Sequence, residues 1–258
     1  MTDLPPAVAE LADELARLPG ATAVVLGGSR ALASADASRD WDIGLYYRGT
    51  IDLTALAARG TIHPPGSWGR LMNGGAWLRC EGHKVDVLLR DLDVVEHWTQ
   101  RAMEGDFEVD ALLGYLAGIP TYTLTAELAV CLPLRGTAPA AIPYPARLTA
   151  TAAQRWRFSR SFSLDYARVL ASRGDTVGAT GQAAKAVMEE AHAVLCERGQ
   201  WVCNEKQLIE SAGLAPVQSV FARTPDPSGL VQWVDLVADR LGVPAGSASA
   251  WTDAGRNT

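Results

Sequence analysis

No stretch of 18 consecutive apolar residues occurs in the 258-residue chain, so no segment reads as a membrane-spanning helix. Cysteine is scarce. Cys80, Cys131, Cys196 and Cys203 stand singly, without C-x-x-C or other metal spacing, and read as reduced, mostly buried cytoplasmic thiols. Histidine is equally sparse: His63, His83, His97 and His192 are scattered with no H-x-x-x-H spacing, which leaves a zinc reading without support. A basic surplus is lacking too. The formal charge of −6 argues against broad nucleic-acid affinity and is compatible with a neutral or cationic small substrate. Its densest acidic run, Asp91 to Asp110, holds a single basic residue, Arg101, and reads as a solvated face. The N-terminal stretch MTDLPPAVAELADELARLPG is acidic and amphipathic rather than basic then apolar, so the expectation is no signal peptide and a cytoplasmic protein. No internal repeat is visible.

What is present is an ordinary globular composition, 48% hydrophobic with 20% charged, long enough for one large domain or two modest ones. Val8, Leu11, Leu15 and Leu18 recur at helical spacing and end at Pro19-Gly20. A strand is expected over 22–26, a short helix over 30–36, a strand over 41–47 and a helix over 51–59 ended by Gly60. The segment AWLRCEGHKVDVLLR reads as a hairpin, with strands 76–80 and 84–90 around Glu81-Gly82. Helices are expected over 91–104 and 121–132. Pro133, Pro139, Pro143 and Pro145 then mark a linker. Beyond it helices are expected over 146–172 and 176–199, from Asn204, and over 227–242, with Asp175 and Asn204 as N-caps and Gly174 and Gly199 near helix ends. The tail GSASAWTDAGRNT reads as mobile. The expected fold is α/β (α+β): an N-terminal domain over 1–138 with a small mixed sheet flanked by helices, and an all-helical C-terminal bundle over 139–258.

Chemistry concentrates in VVLGGSRALASADASRDWDIGLYY, residues 24–47. A strand ends at Leu26, Gly27 and Gly28 permit a sharp turn, and Ser29 opens a helix whose free amides suit an anion such as phosphate. Asp40 and Asp42 share one face of the following strand, because alternate residues point the same way. Paired like charges favour a cation between them, and Mg²⁺ takes hard oxygen ligands while leaving room for substrate phosphates. Asp86, flanked by Val85, Val87, Leu88 and Leu89, is an acid inside an apolar strand. If that strand lies beside 41–47, three carboxylates converge, the inventory of two-metal phosphoryl or nucleotidyl transfer.

In this combination Gly28, Ser29, Asp40, Asp42 and Asp86 resemble the nucleotidyltransferase superfamily of polymerase-β type. The segments GGSRAL, DWDIGLYYRG, NGGAW, KVDVLLRDLD, AELAVCLPL and NEK, in that order, resemble actinobacterial two-domain proteins related to aminoglycoside-type nucleotidyltransferases. The resemblance implies that Gly28 and Ser29 hold a nucleoside triphosphate and that Asp40 and Asp42 bind Mg²⁺. It implies that Asp86 shares a metal and takes the proton of the attacking hydroxyl. Arg39 and Ala33 depart from the serine and glycine common at those positions, which bears on how nucleotide or acceptor sits.

Arg30 and Lys206 are further candidates for contacting the triphosphate, Lys206 from across an interdomain cleft. Trp156 reads as helix packing or as a stacking surface, and Trp68, Asn73 and Trp77 as a lip over the site. Glu127, in an apolar helix, reads as a buried ion-pair partner, an acceptor contact or a rival general base. The expected reaction is Mg²⁺-dependent transfer of a nucleoside monophosphate to a hydroxyl of a small acceptor, aminoglycoside-like antibiotic or metabolite, with release of pyrophosphate. The rival acceptors are tRNA, for which Arg147, Arg155, Arg157, Arg160 and Arg168 offer a basic cluster, and a protein side chain. A non-catalytic nucleotide-binding module is the other alternative. The protein is expected as a monomer or homodimer.

Overall fold

The computed structural model describes residues 4–31, 40–223 and 226–243. In chain order the elements are α1 (Pro6–Ala16), β1 (Ala21–Leu26), α2 (Gly28–Ala31), β2 (Trp41–Tyr47), β3 (Gly60–His63), α3 (Gly69–Met72), β4 (Gly75–Cys80), β5 (His83–Asp91), α4 (Leu92–Met103), β6 (Val109–Asp110), β7 (Ile119–Pro120), α5 (Thr123–Val130), β8 (Leu132–Gly136), α6 (Ala146–Ser172), α7 (Thr176–Glu197), α8 (Leu208–Ser211), α9 (Gln218–Phe221) and α10 (Leu230–Arg240). The chain forms two compact units, one of residues 1–101 and 124–143, the other of residues 102–123 and 144–258.

The first unit is built on a six-stranded mixed sheet in the order β3-β4-β5-β2-β1-β8. Among the described strands of this sheet only β2 and β5 run parallel; the other neighbouring pairs are antiparallel. Alternation along the strands sorts their side chains onto two faces. Trp41, Ile43, Leu45 and Tyr47 of β2 join Val85, Val87 and Leu89 of β5 and Ala76, Leu78 and Cys80 of β4 in one core, packed with Val8, Leu11 and Leu15 of α1. The opposite face carries Asp42, Gly44 and Tyr46 from β2, Lys84, Asp86, Leu88 and Arg90 from β5, and Gly75, Trp77 and Arg79 from β4. Far from Asp86, that face is closed by α5: Arg90, 1% exposed, is held by both carboxylate oxygens of Glu127 at 2.6 and 2.7 Å.

Several local expectations change. Residues 51–59 do not form an α-helix: Thr54–Arg59 is a 3₁₀ turn that leads straight into β3, an edge strand. Its helix never lengthens because the Asp52 carboxylate takes the Thr54 N–H at 2.8 Å and Gly60 is extended, with a Cβ there driven into the Trp77 backbone. The start of the proline-rich segment is not linker but β8, paired antiparallel with β1. Pro133 is tolerated because β8 is an edge strand, where a missing N–H costs no ladder bond inside the sheet. The hairpin forms as expected, with Glu81 (φ 46°) and Gly82 (φ 86°) as a two-residue turn of the kind that matches strand twist. The expected helix over 30–36 and the tail beyond 243 lie largely or wholly outside the described residues.

The second unit is dominated by the α6–α7 pair, with α10 laid against both, and a core rich in alanine: Ala167, Ala171, Ala179, Ala183 and Ala186 with Val187, Leu230, Trp233 and Val234. Small side chains let the two long helices approach closely. Asp175 caps α7 by accepting the Gly178 N–H at 2.9 Å. Asn204 opens no helix: it accepts the Lys206 N–H at 2.8 Å in a turn, and α8 starts only at Leu208, after Gln207 has taken a left-handed conformation. Residues 102–123, with the short β6–β7 ladder, also belong to this unit. No described helix is long and apolar enough to cross a membrane.

Candidate active site

The parallel pairing of β2 with β5 sets Asp42 directly opposite Asp86. In such a ladder neighbouring backbones lie about 4.8 Å apart and paired residues share a face. Two carboxylates are therefore held side by side on the face opposite the α1-packed core. Like charges in that relation repel, and a hard cation that bridges them removes the penalty. A shift of one residue in register would turn Asp86 into the apolar core, so the alternation of Val85, Val87 and Leu89 is what fixes the pair.

The turn after β1 closes onto the same spot. Gly27 donates its N–H to the Asp42 carbonyl at 2.8 Å, which ties the turn to β2. Gly28 adopts φ +61°, and a Cβ there would stand 2.6 Å from Asp42 Cγ and closer still to Oδ2. Glycine is thus required twice, for the left-handed backbone and for the carboxylate laid against its Cα. Ser29 follows in α2. Arg30 is engaged locally: its Nε donates to the Asp40 carbonyl at 3.2 Å, and its guanidinium lies 4.0 Å over the Trp41 ring. It thus ties α2 to the start of β2; residues 32–39, Ala33 and Arg39 among them, lie outside the described residues.

Asp40 stands two residues before Asp42, at the entrance to β2, with its carboxylate toward Lys84 (Oδ1 to Nζ 3.9 Å). Lys84 precedes Asp86 by two on β5, so an amine is interleaved with the acids at one end of this face; the sequence reading passed it over. Its signal was there in the same i, i+2 spacing that grouped the aspartates. Among the described residues no three His, Cys, Asp or Glu side chains stand together as a metal-holding group. What the structure brings together is the Asp42–Asp86 pair, with Asp40 alongside on its lysine. Mg²⁺ is usually held by one or two carboxylates with the remaining positions left to water and substrate phosphate, and the hard oxygen donors of Asp42 and Asp86 fit that requirement.

The segment expected as a lip is held together by its own contacts. Asn73, in a left-handed conformation (φ 62°), accepts the Gly66 N–H through Oδ1 at 2.8 Å and donates through Nδ2 to the Tyr47 hydroxyl at 2.7 Å. Trp68 donates its backbone N–H to the Asn73 carbonyl at 2.9 Å, and its ring lies against Gly75. Trp68, Trp77 and His63 form an aromatic cluster, with His63 4.3 Å from Trp77 and 4.8 Å from Trp68 between ring centres.

Other candidates resolve differently. Glu127 is the ion-pair partner of Arg90, which occupies both of its oxygens. Trp156 is buried in the second unit, stacked on His192 at 4.4 Å and donating to the Tyr122 hydroxyl at 2.9 Å. Burial holds His192 neutral, with its pKa lowered to about 3. Three arginines of the basic cluster on α6 are charge-paired: Arg157 with Glu197 and Glu190, Arg160 with Glu190, and Arg168 with Asp165 and Asp235; Arg155 donates to the Phe107 carbonyl. Lys206 sits in an exposed turn of the second unit.

The fold is thus a mixed-sheet α/β unit bearing a carboxylate pair beside a glycine turn, accompanied by a largely helical unit. No family model and no curated protein sequence matches the chain. Among solved structures it is similar to a nucleotidyltransferase-like protein from Exiguobacterium sibiricum, at 12% identity and a TM-score of 0.45, over 91% of this chain and 73% of that one. A likeness of that degree assigns neither substrate nor metal.

Proposed function

We propose that the protein is a magnesium-dependent nucleotidyltransferase that moves a nucleoside monophosphate from a triphosphate to a hydroxyl of a small acceptor. The observation that carries this reading is the lateral pairing of Asp42 with Asp86, with the Gly28 turn packed onto Asp42. Asp42 and Asp86 would hold Mg²⁺, with Asp40 as a further carboxylate beside them. The metal supplies charge stabilisation for the reacting phosphate. Gly28 and Ser29 seat the β- and γ-phosphates through backbone N–H groups and the serine hydroxyl, with Arg30 as added positive charge. The acceptor oxygen bonds the α-phosphorus, the bond to the bridging oxygen breaks, pyrophosphate leaves, and Asp86 receives the hydroxyl proton. Positioning and electrostatic stabilisation carry the catalysis. The acceptor is an aminoglycoside-like antibiotic or a hydroxylated metabolite, in keeping with the acidic net charge.

The test is transfer of label from each α-labelled nucleoside triphosphate, with Mg²⁺, to a panel of aminoglycosides, polyol metabolites, bulk tRNA and the protein itself. Asp86→Asn should lower transfer by about 10²–10⁴-fold, the usual worth of a positioned base, while Asp42→Asn abolishes Mg²⁺-dependent nucleotide binding. Undiminished transfer in Asp42→Asn, or wild-type protein that binds no nucleotide, refutes the reading.

A further inference from the structure

Trp77 is 53% exposed and stands on the same sheet face as the carboxylate pair. It is also the residue that β4 pairs with Asp86, so Asp42, Asp86 and Trp77 form one row across three adjacent strands. The Gly28 turn lies at the β1 end of that row and Trp77 at the β4 end. This order has a chemical direction. In an in-line displacement the attacking oxygen enters opposite the leaving group. With the leaving pyrophosphate seated at Gly28 and Ser29, the acceptor must approach over β5 and β4, where the indole stands.

We propose that Trp77 is the platform on which the acceptor stacks, and that the acceptor is a saturated hydroxylated ring, a sugar or aminocyclitol. The inference rests on the nucleotidyltransferase reading for its direction. The C–H face of such a ring lies on the indole, one hydroxyl reaches Asp86, and any ring ammonium gains from the indole π-face and from the neighbouring carboxylates. The platform is held from behind. His63 and Trp68 contact Trp77, Trp68 rests on Gly75, and Asn73 pins the intervening loop to Tyr47. The indole is thus ordered before a ligand arrives, which lowers the entropy cost of binding. Sequence reading placed Trp77 on a lip; the strand register places it next to the proton acceptor.

Calorimetry on the full chain tests this with two probes, kanamycin and Mg²⁺ with a non-hydrolysable α,β-methylene ATP. Trp77→Ala should weaken kanamycin binding by about tenfold or more, the scale of one lost stacking contact, and leave the nucleotide dissociation constant within about twofold. Trp77→Phe, which keeps an aromatic face, should recover most of the loss. The 5-fluorotryptophan resonance assigned to Trp77 should move with kanamycin and stay with nucleotide alone. Kanamycin binding that ignores Trp77→Ala, a Trp77 signal that follows the nucleotide instead, or no kanamycin binding at all overturns the proposal. Failure of the nucleotide to bind, with kanamycin still dependent on Trp77, would instead sink the transferase reading and leave a saturated-ring site.

Discussion

Replacing Gly28 by alanine tests the centre of the site, because its two costs can be separated. The first is backbone strain: alanine at φ +61° costs about 1–2 kcal/mol relative to glycine. For a unit of this size, which loses roughly 3–5 °C per kcal/mol, that lowers the melting temperature by roughly 3–10 °C. The second is local. A Cβ 2.6 Å from Asp42 Cγ cannot be accommodated unless the carboxylate retreats from the turn. A displacement on the order of 1 Å at a reacting centre costs about 10²-fold in rate. Gly49 supplies the control, since it has φ +73° in the same unit with nothing within 4 Å of its would-be Cβ. Gly49→Ala should therefore lose similar stability and keep label transfer, whereas Gly28→Ala loses both. Thermal denaturation and α-labelled nucleotide transfer, measured on both variants, decide it. Equal transfer rates in the two would refute the idea that Gly28 positions Asp42.

Two further outcomes concern stability. Glu127→Ala leaves the Arg90 guanidinium buried without its carboxylate and should cost about 3–5 kcal/mol in urea denaturation, while Arg90→Met combined with Glu127→Leu recovers most of it; a loss under about 1 kcal/mol would mean the pair is not the anchor of α5. His192 has a folded pKa of about 3 against an ordinary 6.5, so the unfolded chain binds its proton first as pH falls. Its contribution is full above pH 6.5 and declines toward pH 3, at up to about 1.4 kcal/mol per unit. His192→Leu should flatten that part of the stability-versus-pH curve, and an unchanged slope refutes the assignment.

Local order was readable where a single element decides it. The periodicity of Val8, Leu11 and Leu15, the apolar run to Leu26, the Glu81-Gly82 turn and the Asp175 cap all form as their neighbours along the chain dictate. Reading failed where a distant segment supplies the energy. Residues 133–136 look like linker because prolines recur at 133, 139, 143 and 145, and they become a strand only because β1 offers an unpaired edge. Thr54–Arg59 has helical composition, yet the Asp52 side chain and the passage of Gly60 beside Trp77 hold it to a 3₁₀ turn.

The sequence by itself determined the ingredients: an α/β unit, a largely helical one, a glycine turn, a D-x-D pair at a strand and a third aspartate inside an apolar strand, because alternation and turn chemistry are properties of short segments. Only the tertiary structure decided their arrangement. The parallel register of β2 and β5 chose Asp86 as the neighbour of Asp42, turned Asp40 toward Lys84, gave Glu127 to Arg90 and set Trp77 at the end of the row. Strand pairing joins residues more than forty positions apart, and burial of one sheet face fixes that pairing as a whole, so no local window of sequence contains it.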